Sequence, residues 1–126
     1  MFSHMMVGTN DMARSKAFYD ALFAAMGGQP GEEDALGRMR YMHRGAMFLI
    51  TKPIDGQPAT PGNGGTIGFQ VASPEEAEAW HKAGTANGGT AIEDPPGERN
   101  SPAGPLFLAY LRDPDGNKLC ALHRLR

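Results

Sequence analysis

The chain has 126 residues, with 12 Lys or Arg against 14 Asp or Glu, a formal net charge of −2 and a single cysteine. That length supports one domain with its own hydrophobic core, the scattered charges argue against a nucleic-acid or anionic-membrane surface, and one cysteine excludes an internal disulfide. No apolar run approaches the roughly 18 residues of a membrane span, and "MFSHMMVGTND" turns polar too early for a signal peptide, so a soluble cytoplasmic protein is expected.

In chain order, "FSHMMVG" alternates as a strand does, with Phe2, His4 and Met6 on one face and Ser3, Met5 and Val7 on the other. A helix follows in "TNDMARSKAFYDALFAAMGG". Asn10 or Asp11 can cap it, Met12, Ser15, Tyr19, Leu22, Phe23 and Met26 recur at helical spacing, and Gly27-Gly28 stops it. "GRMRYMH" and "AMFLIT" read as a hairpin turning at His43-Arg44-Gly45, and "KPIDGQPATPGNGG" then breaks all periodicity as a linker.

The order then repeats. "TIGFQVA" is a strand, and "SPEEAEAWHKAGTANGG" is a helix with Ser73 as cap, Pro74 in its first turn, Glu75 and Glu76 against the positive end of the dipole, and a Gly88-Gly89 stop. Strands are expected near Thr90 to Glu93, in "LFLAYLR" and in "KLCALHR", the last two joined by an Asp113-Pro114-Asp115-Gly116 turn. "IEDPPGERNSPAGP" reads as a solvated loop, or one able to close over a ligand through Glu98, Arg99 and Asn100. With Thr66 set against His4, the repeat is offset by about 62 residues, which implies two homologous half-domains: a first module of about 1–53, a linker of about 54–64 and a second module of about 65–126.

Each helix can cover only one face of its sheet. If Ile67, Phe69 and Val71 pack under the second helix, Thr66, Gly68 and Gln70 line the opposite, concave face, and the same alternation puts His4 there. That uncovered face is where a ligand can go.

"FSHMMVGTNDMARSKAFYDAL" and "LRDPDGNKL", at their separation within a duplicated pattern, resemble the vicinal oxygen chelate superfamily, which includes glyoxalase I, bleomycin-resistance proteins and extradiol dioxygenases. The resemblance spans essentially the whole chain. It implies an α+β fold of two βαβββ modules forming a curved mixed sheet with a concave cleft, often assembled as a homodimer. It also implies a cleft metal that is chelated by two adjacent substrate oxygens and acts as a Lewis acid. The four ligand positions of that metal fall at His4, Leu49, Thr66 and Cys120 here. Only the first keeps a metal-binding residue of the family's kind. No cofactor is therefore expected, and a divalent metal would have His4 and Cys120 as its weak candidates.

The resemblance thus points to a small organic molecule bound by His4, Leu49, Thr66, Gln70, Cys120 and Arg112, with the metal site incomplete. Two alternatives stay open: a metal-dependent lyase or isomerase of the glyoxalase I type using His4 and Cys120, and a ligand-free structural or regulatory dimer. Cys120, between Leu119 and Ala121, reads equally as a small buried hydrophobe. Arg112 can pair with Asp113, with Asp115 or with a ligand anion. Phe18, Tyr19, Phe23 and Trp80 read as core, His81 as a solvated helix residue, and His123 as pointing away from the cleft.

Overall fold

The computed structural model describes residues 1–126. Its first half contains β1 (His4–Gly8), α1 (Met12–Ala25), β2 (Glu32–Glu33), β3 (Met39–His43) and β4 (Ala46–Thr51). The second contains β5 (Ile67–Gln70), α2 (Pro74–Ala86), β6 (Thr90–Ala91), β7 (Gly97–Ser101), β8 (Gly104–Arg112) and β9 (Lys118–Arg124). Each half builds one mixed sheet. The strand before the helix pairs in parallel with the last strand of its half, and the other strands pair antiparallel, giving the orders β1-β4-β3-β2 and β5-β9-β8-β6. The inferred duplication is therefore visible as one topology built twice, the two βαβββ modules expected. No helix is long and apolar enough to cross a membrane.

Residues 97–101 correct the expectation of a loop, because they pair antiparallel with β8 from Gly97↔Leu108 to Ser101↔Gly104. "GERNS" has no apolar alternation because β7 is an outer strand with no residue buried, so the period-two signal that marks a half-buried strand is absent. The pair β2 is similarly too short and too acidic to register. β6 stops at Ala91, and β5 begins at Ile67 and leaves Thr66 outside the strand.

The helices form as their caps dictate. Asp11 accepts from the Arg14 amide and Ser73 from the Glu76 amide, each satisfying an otherwise orphaned first-turn donor. α1 buries Ser15, Phe18, Tyr19, Leu22 and Phe23, a stripe at three- and four-residue spacing whose Tyr19 and Phe23 pack against Tyr41 and Phe48 of the first sheet. α2 buries Ala77, Trp80 and Gly84. Gly84 lets the layers approach: a Cβ there would lie 2.3 Å from Leu111 Cδ1 and 3.3 Å from both Leu22 Cδ1 and Phe18 Cε1. One core cluster results, shared by both sheets and both helices. His81 is half-buried and not solvated as expected; desolvation lowers its pKa, and the Tyr110 backbone beside it partly offsets this.

Two turns tie the modules together, and they occupy equivalent places in the duplicated topology. The β8–β9 turn of the second module reaches the start of α1. Asp113 is 4 % exposed and accepts from the Tyr19 hydroxyl at 2.6 Å, the Asn117 side-chain amide at 2.9 Å and the backbone amides of Asp115 and Asn117. Asp115 accepts from the Asn10 amide, from Arg14 and from Ser15. Because a carboxylate only accepts, Ser15 must give Asp115 its one hydroxyl proton, so the buried Thr9 hydroxyl donates to Ser15 at 2.6 Å. The β3–β4 turn of the first module makes the reciprocal contact at α2. Arg44 forks onto both carboxylate oxygens of Glu76 at 2.9 and 3.0 Å, and also donates to the Met26 and Gln70 carbonyls. Arg44 adopts a positive φ of 49° to do so.

Replacing Asp113 strands several buried donors, each worth about 1–3 kcal/mol when left unpaired. Asp113→Ala is expected to cost at least ~3 kcal/mol in urea denaturation on that basis. Arg112→Ala, which loses only a bond to the Gly116 carbonyl, should stay within ~0.5 kcal/mol of the parent. Arg44 holds the Glu76 carboxyl below its ordinary value of 4.5. A depressed carboxylate contributes stability above its unfolded pKa and loses it as pH falls through the folded one. Arg44→Met should therefore cost roughly 0.5–1 kcal/mol at pH 7, given the pair's partial exposure, and the gap should shrink in denaturation curves run below the ordinary Glu value.

Candidate functional site

Pairing register assigns each strand side chain to a face. In the first sheet Phe48 and Tyr41 are in register and face the core, as do Val7, Ile50 and Met39, while Met5, opposite Phe48, is exposed. His4 and Met47, with Met6, Leu49 and Arg40, take the helix-free face. In the second sheet Leu119, Ala121, Ala109 and Leu111 face the core, whereas Gly68, Cys120 and Tyr110 lie in register on the helix-free face. The alternation expected of His4 and Gly68 is what the register gives. His123 points to the other side of β9 from Cys120, with Nδ1 3.2 Å from the Val71 carbonyl.

The four positions carried over from the resemblance have distinct environments. His4 is exposed, with Nδ1 2.8 Å from the Ser3 hydroxyl. Leu49 is 3 % exposed and has no donor atom. Thr66 is an exposed neutral hydroxyl just before β5. Cys120 is buried, its Sγ 3.5 Å from the Ala121 carbonyl; burial pushes its thiol pKa up, and the neighbouring Tyr110 hydroxyl offsets part of that rise. No group of three or more His, Cys, Asp or Glu side chains is placed to hold a metal ion. The donor set does not fit a catalytic divalent-metal centre, which calls for three protein ligands at zinc or several anionic oxygens at harder ions.

What the helix-free side does carry is a polar hollow of about 610 Å³ at the end of the second sheet, lined by the Pro61–Gly65 backbone, Thr66, Arg112, Gly116 and Lys118. Arg112 ends β8 and Lys118 opens β9 as a register pair, so both cations project at one place. Arg112 pairs with neither Asp113 nor Asp115, which are committed to α1; it bonds the Gly116 carbonyl at 2.8 Å. Its remaining guanidinium donors have the planar fork that suits a carboxylate or phosphate. Lys118 forms an ion pair with Glu93 and stands 5.0 Å from the Tyr110 ring centroid.

Of the residues singled out from sequence, Thr66 and Arg112 therefore share one hollow. Gln70 lines another, at the seam between the modules, where its main-chain carbonyl receives Arg44. Sequence reasoning passed over Lys118 and the Pro61–Gly65 segment. Lys118 shares the parity of Cys120, which was the available signal; the segment's role depends on where the chain folds back, which spacing does not encode. In β7, the Arg99 guanidinium donates to the Asp94, Pro95 and Glu98 carbonyls.

Comparison with known proteins gives a consistent picture. The Glyoxalase/Bleomycin resistance protein/Dioxygenase superfamily matches residues 1–121. A crystal structure of a glyoxalase/bleomycin resistance protein from Albidiferax ferrireducens T118 is 58 % identical, with a TM-score of 0.95 over 98 % of this chain and 99 % of that one. A glyoxalase/bleomycin resistance protein/dioxygenase family enzyme from Burkholderia phytofirmans PsJN shares the fold at 18 % identity and TM-score 0.72, covering 98 % of both chains. Lactoylglutathione lyase from Agrobacterium tumefaciens shares it at 19 % identity and TM-score 0.66, covering 97 % of this chain and 92 % of that one. No curated protein matches the chain.

The burial of Cys120 generates a direct expectation. A thiol with a raised pKa and little exposure presents little thiolate to reagents. Disulfide-exchange titration at pH 8 should label Cys120 at least tenfold more slowly in the native protein than in denaturant; equal rates would show an open, activated cysteine.

Proposed function

The chain belongs to the Glyoxalase/Bleomycin resistance protein/Dioxygenase superfamily, and we propose that within it this protein binds a small organic molecule on the helix-free face without the family's complete metal centre. One observation carries the reading: of the four positions at which the family resemblance calls for metal ligands, Leu49 offers no donor, Thr66 offers a neutral hydroxyl, and Cys120 offers a buried thiol whose pKa is raised. Only His4 remains as a ligand of the family's kind. Binding chemistry is instead concentrated at Thr66, Arg112 and Lys118, where two cations and a hydroxyl favour a ligand with an anionic or oxygen-rich end.

A lyase or isomerase that relies on His4 and Cys120 is the weaker reading, since a protonated, buried thiol is a poor ligand and a poor base. A homodimer is part of the proposal. Phe2, Met6 and Met42 leave apolar surface exposed on the first module, the kind of surface that association covers.

The test is elemental analysis by plasma mass spectrometry of untagged protein produced with and without added nickel, zinc, manganese and iron, beside His4→Ala. The expected result is well under one metal per chain in every preparation and no difference in the variant. One equivalent of metal that disappears in His4→Ala would overturn the reading and restore a metal enzyme.

A further inference from the structure

The charges around the cationic hollow narrow what can fill it. Arg112 and Lys118 are the two cations of its lining, and they are not equivalent. Lys118 is already neutralised by Glu93, whose exposed side chain reaches it from a left-handed backbone at φ 59°. A non-glycine residue adopts that conformation at a cost, so the fold holds this acid against its backbone preference. Arg112 gives one donor to the Gly116 carbonyl at 2.8 Å, and the rest of its guanidinium has no acceptor in the protein. Asp113 and Asp115, its nearest acids in sequence, are buried and bonded to α1. The hollow therefore presents one uncompensated positive charge, in the forked form that grips a carboxylate through two parallel bonds. A group carrying two negative charges would also meet the repulsion of Glu93.

The remaining walls are polar. The Thr66 hydroxyl and the Asn63 side-chain amide make no hydrogen bond within the protein, and the backbone amides of Gly62, Asn63 and Gly64 are likewise without an acceptor. The segment that carries them is nonetheless fixed. Asn10 brackets Ala59 with two bonds, accepting from its amide at 2.7 Å and donating to its carbonyl at 3.0 Å. Two residues on, Pro61 lies against the β8–β9 turn so closely that a Cβ on Gly116 would be 3.3 Å from Pro61 Cγ. Polar groups held in place without protein partners suit a ligand rich in hydroxyls. A hydrocarbon chain would find little to cover it, because Pro61 is the one apolar ring in the lining.

We propose that this hollow binds a polyhydroxylated monocarboxylate, a sugar acid in chemical class, with its carboxylate in the Arg112 fork, its hydroxyls on Thr66, Asn63 and the Gly62–Gly64 amides, and Glu93 disfavouring dianions. The proposal rests on the reading that the protein binds its small molecule at this hollow without a metal. It adds the charge and the character of that molecule.

The experiment is isothermal titration calorimetry of the full chain, stripped of metal, at pH 7.5. The probes are D-gluconate, hexanoate, which lacks its hydroxyls, and D-sorbitol, which lacks its carboxylate. Gluconate should saturate one site per chain and bind at least tenfold more tightly than either. Arg112→Met should weaken gluconate by about tenfold, and Arg112→Lys, which keeps the charge without the fork, should recover only part of that loss. Glucose 6-phosphate, mostly doubly charged at this pH, should bind the parent more weakly than gluconate, and Glu93→Gln should shift that ratio toward the phosphate at least threefold. Hexanoate or sorbitol binding as well as gluconate, an unchanged affinity in Arg112→Met, or an unchanged ratio in Glu93→Gln would overturn the proposal. Repeating the titration with nickel added separates the two readings. No gluconate binding in either state overturns the sugar-acid class and leaves the metal-free reading standing, whereas binding that needs nickel and vanishes in His4→Ala overturns both.

Discussion

The arrangement of the whole molecule depends on how the Asp113–Asp115 turn meets the first turn of α1. A carboxylate at 4 % exposure with four donors is costly to bury unless every donor is in place, and here they come from both modules: Tyr19 from the first, Asn117 and the turn amides from the second. Asp115 extends the same grip through Ser15, Thr9 and Arg14. The bonds are directional, so they fix the rotation of α1 about its axis as well as its position. That orientation aims Phe18 and Leu22 at α2 and leaves Tyr19 and Phe23 for the first sheet.

The reciprocal Arg44–Glu76 fork shows that the clasp is a property of the duplication. Each module sends the turn before its last strand to the opposite helix, once with carboxylates and once with a guanidinium. The two versions differ in the burial of their carboxylates, Asp115 at 2 % exposed against Glu76 at 16 %, while the paired cations Arg14 and Arg44 are both part-exposed and screened by water, at 46 % and 43 %. With both helices held on one side, the other face of each sheet carries no helix, and His4, Leu49 and Cys120 lie on it.

Much of this architecture was legible because it is local. Helix caps at Asp11 and Ser73, the glycine stops, the limits of β9 and the alternation that places His4 and Gly68 on one face all follow from short-range rules, and the structure agrees with them. What escaped is long-range. β7 is visible only through its partner β8, because "GERNS" buries nothing. Arg112 has two acidic neighbours in sequence and pairs with neither, because both are drawn away by α1, whose first turn lies about a hundred residues earlier in the chain. His43 read as part of a turn, and no spacing rule says that its ring ends edge-on to Phe23 and lines a hollow with four aromatic rings from four elements. The candidate site was partly legible for the same reason. Alternation pointed to Thr66 and Gly68 and the family resemblance to Cys120, while the polar hollow also needs a backbone segment that sequence marks only as a linker.

The seam itself follows from building one fold twice. β1 ends the first sheet and β5 ends the second, so each has one hydrogen-bonding edge unused within its own sheet. Met5 of β1 and Ile67 of β5 line common hollows, which puts these edges opposite each other without making them one ladder. A continuous ladder would fill the space between them with paired backbone. Helices and clasps hold the modules together instead, and side chains alone decide how the gap is filled. At one end Gly62, Gly65, Thr66 and Lys118 leave it polar, and at the other Phe48, Phe69 and the methionines leave it apolar with a single imidazole. Hollows of different lining at the two ends of one seam are thus what an unfused duplication permits, and what a single continuous sheet would have closed.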